Sequence, residues 1–383
     1  MAPTATRKLI STPMRIAFMH RGLSGGGTEA DLRRMASGLA ARGHAMHLFV
    51  AHPEPVPAGI TVHRVPVVRG NRWTRLVSFA LLAPRLVARA SWDVVVGFGR
   101  TPGQDVVRVG GGTHRSYLAA MAASGQRRGQ GPYHRTILWL ERRMFSPTGH
   151  RRILAVSKRV AHEVVRDYAV PPAHLQVVYN GVDLERFHPA RRGSDGARIR
   201  AELGIGTRPL CLAVGSGFAR KGFDLLLECW RGDPPADATL VIAGDDERLA
   251  AFRRQAARAP LAGRVHVLGP RCDVEALLAA ADVLCVPSRQ EAFGNVVLEA
   301  AAAGVPVVTS AAVGAAELLD ASLSDAVLRD PLDVEGLRAG IERALGPGWD
   351  ERSRAWRELA QRHPWTRHLD EVEAFFLEVA SGV

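Results

Sequence analysis

Short apolar runs alternate along the chain with longer segments in which apolar residues recur every three to four positions. In the first half the runs predict strands at 15–20, 47–51, 61–65, 93–98, 106–109, 153–156 and 176–178. In the second half they predict strands at 210–214, 239–243, 265–268, 283–286 and 305–309. Runs this short, rich in Val, Ile and Leu, suit strands buried on both faces. Helical patterns separate them, at 29–42 (closed by Gly43) and at about 222–231, 247–258, 273–281 and 295–303. Two last helices are expected at about 351–362 and 366–379. Strands alternating with helices imply parallel sheets with helices on both faces. The fold class expected is therefore α/β, with two Rossmann-like domains facing each other across a central cleft.

Turn and stop residues divide the pattern. Asn180-Gly181 is turn chemistry and His188-Pro189 is a stop, so the boundary is expected in 180–189. The polar, basic stretch 190–196 reads as a linker. The resulting units are 1–188, 189–365 and a last helix, 366–383, expected to pack back on the first domain. The small, polar, Gly-rich segment 119–132 predicts a mobile loop.

Length and charge sharpen this division. A chain of 383 residues is too long for one compact core. Residues 1–188 hold 27 Lys+Arg against 10 Asp+Glu, or +17, and residues 189–383 hold 23 against 28, or −5, which together give the net +12. So uneven a split argues for two domains with different partners, and a basic half suits nucleic acid, an anionic membrane or a phosphorylated substrate. Arg7 and Lys8 precede no apolar stretch, so no signal peptide is expected, and the densest apolar run, 77–82, is far too short to span a bilayer. Cys211, Cys229, Cys272 and Cys285 form no CxxC pair; Cys211 and Cys285 lie in strand-like runs and read as buried free thiols of a reducing cytosol.

Three motifs carry candidate chemistry. Gly25-Gly26-Gly27 follows the first strand and opens a helix, where bare amides can approach an anion, although a plain tight turn has the same look. Gly215-Ser216-Gly217-Phe218-Ala219-Arg220-Lys221-Gly222 follows the first strand of the second half. Phe223-Asp224 stands where a phosphate-binding P-loop needs Lys-Ser/Thr, so what remains is a Gly-rich turn delivering two cations to a strand's C-terminal end. They suit a diphosphate; a solvated surface pair is the other reading. Lys221 is one of only three lysines among 50 basic residues, which hints that a compact point charge is wanted there. Glu291-Ala292-Phe293-Gly294-Asn295-Val296-Val297-Leu298-Glu299 places one carboxylate before a helix and a second one turn inside it. Carboxylates accept hydrogen bonds from vicinal hydroxyls, and a helix start offers free amides. Spacing alone would also fit an ordinary helix with Glu in its second turn.

Taken together and in this order, the Glu-x7-Glu element, Arg220-Lys221, the glycines at 25–27 and Asn180-Gly181-Val182-Asp183 resemble the family-4 retaining glycosyltransferases of the GT-B fold. The resemblance runs from Arg15 to the C-terminal helices. Val95-Val96-Gly97-Phe98 through Pro102-Gly103-Gln104-Asp105-Val106 is similar to the lipopolysaccharide core glucosyltransferase I subgroup. Ala36-Ser37, Ala40-Ala41-Arg42-Gly43-His44 and Gly215-Ser216 point the same way.

The resemblance implies a nucleotide-sugar donor, UDP-glucose first, held by the second domain, with a glycolipid or oligosaccharide acceptor on the first. It implies that Gly26 and Gly27 approach the donor diphosphate, and that Arg220 and Lys221 bind it and stabilise the leaving nucleotide. Glu291 would contact donor-sugar hydroxyls, assisted by the amides of Phe293, Gly294 and Asn295. Glu299 would hold the ribose, Arg271 would contact the base, and His114 would face the transferred sugar. Asp31 and Asp105 match acidic positions on the acceptor side. No metal or other cofactor is implied. Asp245-Asp246-Glu247 lacks the Asp-x-Asp spacing and reads as a helix start.

Within the family, a transferase using GDP-mannose or UDP-GlcNAc on another glycolipid or polysaccharide stays open. Outside it, a nicotinamide oxidoreductase would need GxGxxG with an acidic residue some twenty positions on, which neither Gly-rich turn provides. A nucleic-acid-binding protein would account for the basic half, but the arginines are scattered and build no binding module. No nucleic-acid partner is expected. Arginines interleaved with Trp and Phe in 69–90 and 133–145 instead suggest a peripheral contact with an anionic membrane, on its cytoplasmic side.

Overall fold

The structure, a computed structural model, describes residues 12–23, 26–125, 131–232 and 234–382. The first domain carries strands β1 (Arg15–Met19), β2 (Ala45–Val50), β3 (Ile60–Arg64), β4 (Val94–Gly97), β5 (Val106–Val109), β6 (Arg152–Ala155) and β7 (Leu175–Val177). Its helices are α1 (Gly27–Ala41), α2 (Arg72–Val87), α3 (His114–Ala123), α4 (Pro132–Met144) and α5 (Lys158–Tyr168). The second domain carries β8 (Leu210–Val214), β9 (Thr239–Ala243), β10 (Val265–Gly269), β11 (Val283–Val286), β12 (Val307–Ser310) and β13 (Val327–Leu328). Its helices are α6 (Asp195–Leu203), α7 (Phe223–Arg231), α8 (Leu249–Ala256), α9 (Val274–Ala280), α10 (Asn295–Ala302), α11 (Val334–Leu345) and α12 (Trp349–Gln361), and the chain closes on α13 (Trp365–Ser381).

Both sheets are parallel, ordered β3-β2-β1-β4-β5-β6-β7 and β10-β9-β8-β11-β12-β13. Each reverses its winding direction beside its first strand, between β1 and β4 and between β8 and β11. Open α/β sheets bind ligands at such switch points, beyond the carboxyl ends of the strands. The glycines after β1 and the Arg220-Lys221 turn after β8 emerge at these two points.

One apolar core spans both domains. It joins Val107, Val109, Ile153 and Phe187 to Leu212, Leu284, Phe293 and Trp356. Helix α13 returns to the first domain, where Leu369, Val372, Phe375 and Phe376 pack with Ile16, Phe18 and Leu39. The two crossings of the chain between domains are joined: Val182 N–H donates to His363 O at 3.0 Å and Trp365 N–H to Val182 O at 2.8 Å.

Three local expectations need correction. Residues 119–123 belong to α3, because alanines with good helix propensity continue a helix whose start is capped by Thr113 accepting from Ser116 N–H. The rest of the expected loop includes 126–130, which lie outside the described residues, as does Gly25 of the glycine run. The stretch 190–196 is not an extended linker. It is a 3-10 turn, Pro189–Gly193, followed by α6, and a Cβ on Gly196 would lie 2.5 Å from Ala279 O on the neighbouring α9. Asp246 does not open a helix either. It accepts Phe218 N–H at 2.8 Å and Arg248 N–H at 2.7 Å, and so anchors the Gly-rich turn after β8.

Candidate active site

The carboxyl ends of both sheets line one cleft of about 970 Å³ between the domains. Gly26, Gly27, Asp31, His114, Arg220, Lys221, Arg271, Glu291, Phe293, Gly294, Asn295 and Glu299 all border it. Two helix starts face it without a side-chain cap, α1 at Gly26 and α10 at Gly294. Uncapped amides at a helix start are a ready anion site, because the dipole adds to the free N–H groups. Gly294 permits this arrangement on its own side: its φ is +88°, and a Cβ there would meet Val313 Cγ1 at 2.9 Å.

Below α10 the motif residues gather at one carboxylate. Lys221 Nζ lies 2.5 Å and Arg220 Nη1 2.7 Å from the same oxygen, Glu291 Oε2. Arg220 Nη1 also donates to Gln290 O at 2.8 Å. Lys221 reaches the cleft by passing over Gly215, where φ is +143° and a Cβ would stand 2.6 Å from Lys221 Cε. Burial acts to raise the Glu291 pKa, but Lys221 and Arg220 outweigh it and hold the carboxyl down at about 2. The result is a fixed anion with two cations on one oxygen, at the border of the cleft.

Residues 25–186 match the family described as "Glycosyltransferase Family 4" and residues 208–346 the one described as "Glycosyl transferases group 1". The lipopolysaccharide glucosyltransferase WaaG of Escherichia coli K12 is 27% identical over 96% of this chain and 99% of that enzyme. The chain belongs to the family-4 glycosyltransferases. Its fold is GT-B. The crystal structure of WaaG, described as a glycosyltransferase involved in lipopolysaccharide biosynthesis, covers 94% of this chain and 99% of its own at 25% identity, with a TM-score of 0.81. Anabaena HepE in complex with UDP and glucose shares the fold, with a TM-score of 0.73 at 20% identity over 95% of this chain and 100% of its own. A D-inositol 3-phosphate glycosyltransferase of Kribbella flavida is 32% identical over 52% of this chain and 53% of that enzyme.

The second glutamate of this transferase differs from the first. Burial pushes Glu299 up to about 7; Arg34 and Arg186 act downward, and Asp31 adds to the rise. Asp31 is itself raised by burial, against Arg108 and the side chain of Asn295. An ionised Glu299 can accept two vicinal hydroxyls, whereas its neutral form has lost part of that capacity. Affinity for a UDP-sugar is therefore expected to fall as pH drops below about 7, by up to roughly tenfold per pH unit, and to level off above it. Titration calorimetry with UDP-glucose between pH 5.5 and 8.5 reads this, the Glu299→Gln chain flattening the curve. A pH-independent affinity in the unmutated chain would refute the assignment.

His114 is the first residue of α3. Its N–H donates to both Glu141 oxygens, at 2.9 and 3.0 Å, and its Nε2 lies 2.8 Å from His134 Nδ1. Burial, then Arg100, His134 and Arg72, lower its pKa to about 3. At neutral pH it is an uncharged hydrogen-bonding group on the cleft wall. Arg271 borders the cleft between β10 and α9, held by Asp273 at 2.8 Å and Glu202 at 2.7 Å.

Asp105 is not at the cleft. It precedes β5, at the amino end of the sheet, where Oδ2 accepts Val95 N–H at 2.8 Å and Arg151 lies 3.6 Å from Oδ1. An acidic residue one position before an apolar strand was free to pin the sheet's far end, and does so. Sequence reasoning also passed over Gly110-Gly111-Gly112 after β5, whose first two glycines border the cleft, and Arg34, three residues after Asp31 on the same face of α1. The signal for the glycines was present, since they repeat the strand-then-glycine pattern of residues 25–27. A second cavity of about 230 Å³ adjoins the cleft through Thr28, Arg100, Gly110 and Gly111, and reaches His20 and Arg21 in the first domain.

Proposed function

We propose that this glycosyltransferase moves glucose, with retention, from UDP-glucose in the second domain to a glycolipid acceptor of the lipopolysaccharide-core type in the first. The observation that carries the donor half is the Lys221–Glu291–Arg220 cluster beneath two uncapped helix starts. As the bond from the anomeric carbon to the diphosphate oxygen breaks, its electron pair passes to the leaving nucleotide. Lys221, Arg220 and the amides of Gly27 and Asn295 meet that charge in a preorganised site. The acceptor hydroxyl adds from the same face and gives its proton to the departing phosphate oxygen. Glu291 orients hydroxyls of the transferred sugar, and Glu299 holds the ribose. Among the described residues no group of three or more His, Cys, Asp or Glu could hold a metal ion.

The acceptor half rests on the full-length similarity to WaaG. The match to D-inositol 3-phosphate transferases spans about half of each chain and is the reading to test against it. A thermal-shift panel of UDP- and GDP-sugars, followed by NMR of the product on a lipopolysaccharide-core acceptor, is expected to select UDP-glucose and give an α linkage. A β linkage, or selection of a GDP-sugar, would overturn the assignment.

The same reading places the enzyme on the inner face of the cytoplasmic membrane. No helix among the described residues is long and apolar enough to cross a bilayer. Helices α2 and α4 lie side by side, joined by Trp73 Nε1–H donating to Thr136 Oγ1 at 2.8 Å. They leave Trp73, Trp139 and Leu81 more than 40% exposed. Arg143 stacks over Trp139 at 4.7 Å, and Arg72, Arg75, Arg85, Arg135 and Arg142 are exposed on the same two helices. Indole rings among arginines suit an anionic headgroup layer, each Arg adding about 1 kcal/mol. Sedimentation with phosphatidylglycerol vesicles is expected at low salt, with loss of binding at high salt and after Trp73→Ala with Trp139→Ala. Equal binding to neutral vesicles would refute an electrostatic contact.

A further inference from the structure

The two helix starts that face the donor are tied together from opposite domains. Asn295, first residue of α10, donates from Nδ2 to Asp31 Oδ1 at 2.9 Å, on the second turn of α1. Asn180 donates from Nδ2 to Asp31 Oδ2 at 3.0 Å and to Asn295 Oδ1 at 2.7 Å. Arg108, in the middle of β5, donates from Nη2 to Asn180 Oδ1 at 2.6 Å. Both oxygens of Asp31 and the amide oxygens of both asparagines are thus engaged. Asn180 and Arg108 are each only 4% exposed. A buried network in which the carboxylate and both side-chain amides are engaged favours one arrangement and leaves costly unpaired groups in any other, while Arg108 Nη1 is buried without a hydrogen-bond partner among the described residues.

Its position gives it a task. Asn180 is two residues from the junction where the crossings of the chain meet at Val182 and Pro364. There a Cβ on Gly181 would lie 2.8 Å from Pro364 O, and His368 of α13 hydrogen-bonds Tyr179 O at 2.7 Å through Nδ1. Rotation of one domain against the other about this junction must separate Asn295 from Asp31. A Cβ on Gly27 would stand 3.9 Å from Asn295 Nδ2, so the two helix starts are close neighbours and the bond sets their spacing.

We propose that Asp31, Asn180, Asn295 and Arg108 form a latch between the domains, and that Asp31 and Asn180 are positioning residues that hold α1 and α10 convergent on the donor. The proposal builds on the donor assignment above. It moves Asp31 from the acceptor side to the join between the domains. The second domain's own contacts, at Lys221, Arg271 and Glu299, do not pass through the latch. Free UDP therefore still binds with the latch broken through those second-domain contacts, but the start of α1 is no longer held in register with the bond that breaks.

Asn295→Ala tests this, because it keeps the main-chain amide and removes both cross-domain bonds of that side chain, to Asp31 and from Asn180. It is expected to lower kcat roughly 10- to 100-fold, as sub-ångström misplacement of a reacting group does, while the Kd for UDP stays within about threefold. Asp31→Ala is expected to act in the same direction, and the double variant to lose less than the sum of the two single changes, because they share the Asn295–Asp31 bond. Small-angle scattering of UDP-saturated protein should show a larger radius of gyration in the variants. Asn180→Ser, scored the same way, replaces any variant whose melting shows misfolding. Additive losses, an equal loss of UDP affinity, or unchanged kcat with unchanged scattering would overturn the latch. If the unmutated chain itself fails to bind UDP, the donor assignment falls instead, and scattering of the unliganded variants decides the latch alone.

Discussion

Replacing Lys221 by Ala is expected to lower kcat/KM about 10²- to 10³-fold, the loss seen when one preorganised charge-stabilising donor is removed from a closed site. The ammonium is 2.5 Å from Glu291 Oε2 and its side chain is only 9% exposed, so water does not replace it fully. Arg220 remains on the same oxygen, which keeps the carboxylate paired and the chain folded. UDP-glucose affinity should fall with turnover, because the cation meets the diphosphate in the bound state as well as in the transition state. Lys221→Arg should not rescue the activity. The path over Gly215 fits an alkyl stem, and a planar guanidinium there would press on the backbone. Calorimetry showing the same UDP-glucose affinity in Lys221→Ala as in the unmutated chain would remove Lys221 from the donor site.

Glu291→Gln is expected to separate binding from turnover. The carboxyl is held at about 2 against its burial by Lys221 and Arg220, so it is ionised across the working pH range. Gln keeps the shape and removes the charge, which frees both cations for the diphosphate. Donor KM should therefore stay level or fall. kcat should drop about 10²-fold or more, since an acceptor for sugar hydroxyls that strengthens in the transition state has been weakened. Steady-state rates at saturating donor give the answer, and near-normal kcat would show that Glu291 only neutralises its two neighbours.

The residues that carry these predictions were legible in the sequence because each sits in a local pattern. Glu291 and Glu299 flank one helix start, and Arg220-Lys221 follows a strand through a Gly-rich turn. Parallel strands such as 106–109, 210–214 and 283–286 stood out for a similar reason, as short aliphatic runs buried on both faces. The Ala-rich end of α3 was misread because small residues suit loops and helices alike, and the cap at Thr113 lies outside that stretch. Asp105 was misread because a carboxylate that pins a strand end has the same sequence look as one that faces a substrate, and Asp246 because one that anchors a loop just before a helix looks like one that opens it. The Asp31–Asn295 pairing had no local trace at all. Its partners are 264 positions apart, and the Asn180–Asp31 pair 149. No periodicity spans such distances, and only the stacking of two sheets brings the residues within reach.

The return of α13 sets the order in which this protein can be made. Phe375 and Phe376 are fully buried, Phe376 sits 6.2 Å from Phe18, and Arg42 pairs with Asp370 at 2.5 Å and with Glu373. The first domain thus holds an apolar slot filled by residues that leave the ribosome almost 200 positions after its last strand. Until then the growing chain carries that slot open, while the second domain can already assemble around its own sheet. Vectorial synthesis therefore leaves the first domain's core incomplete until the last helix has been made.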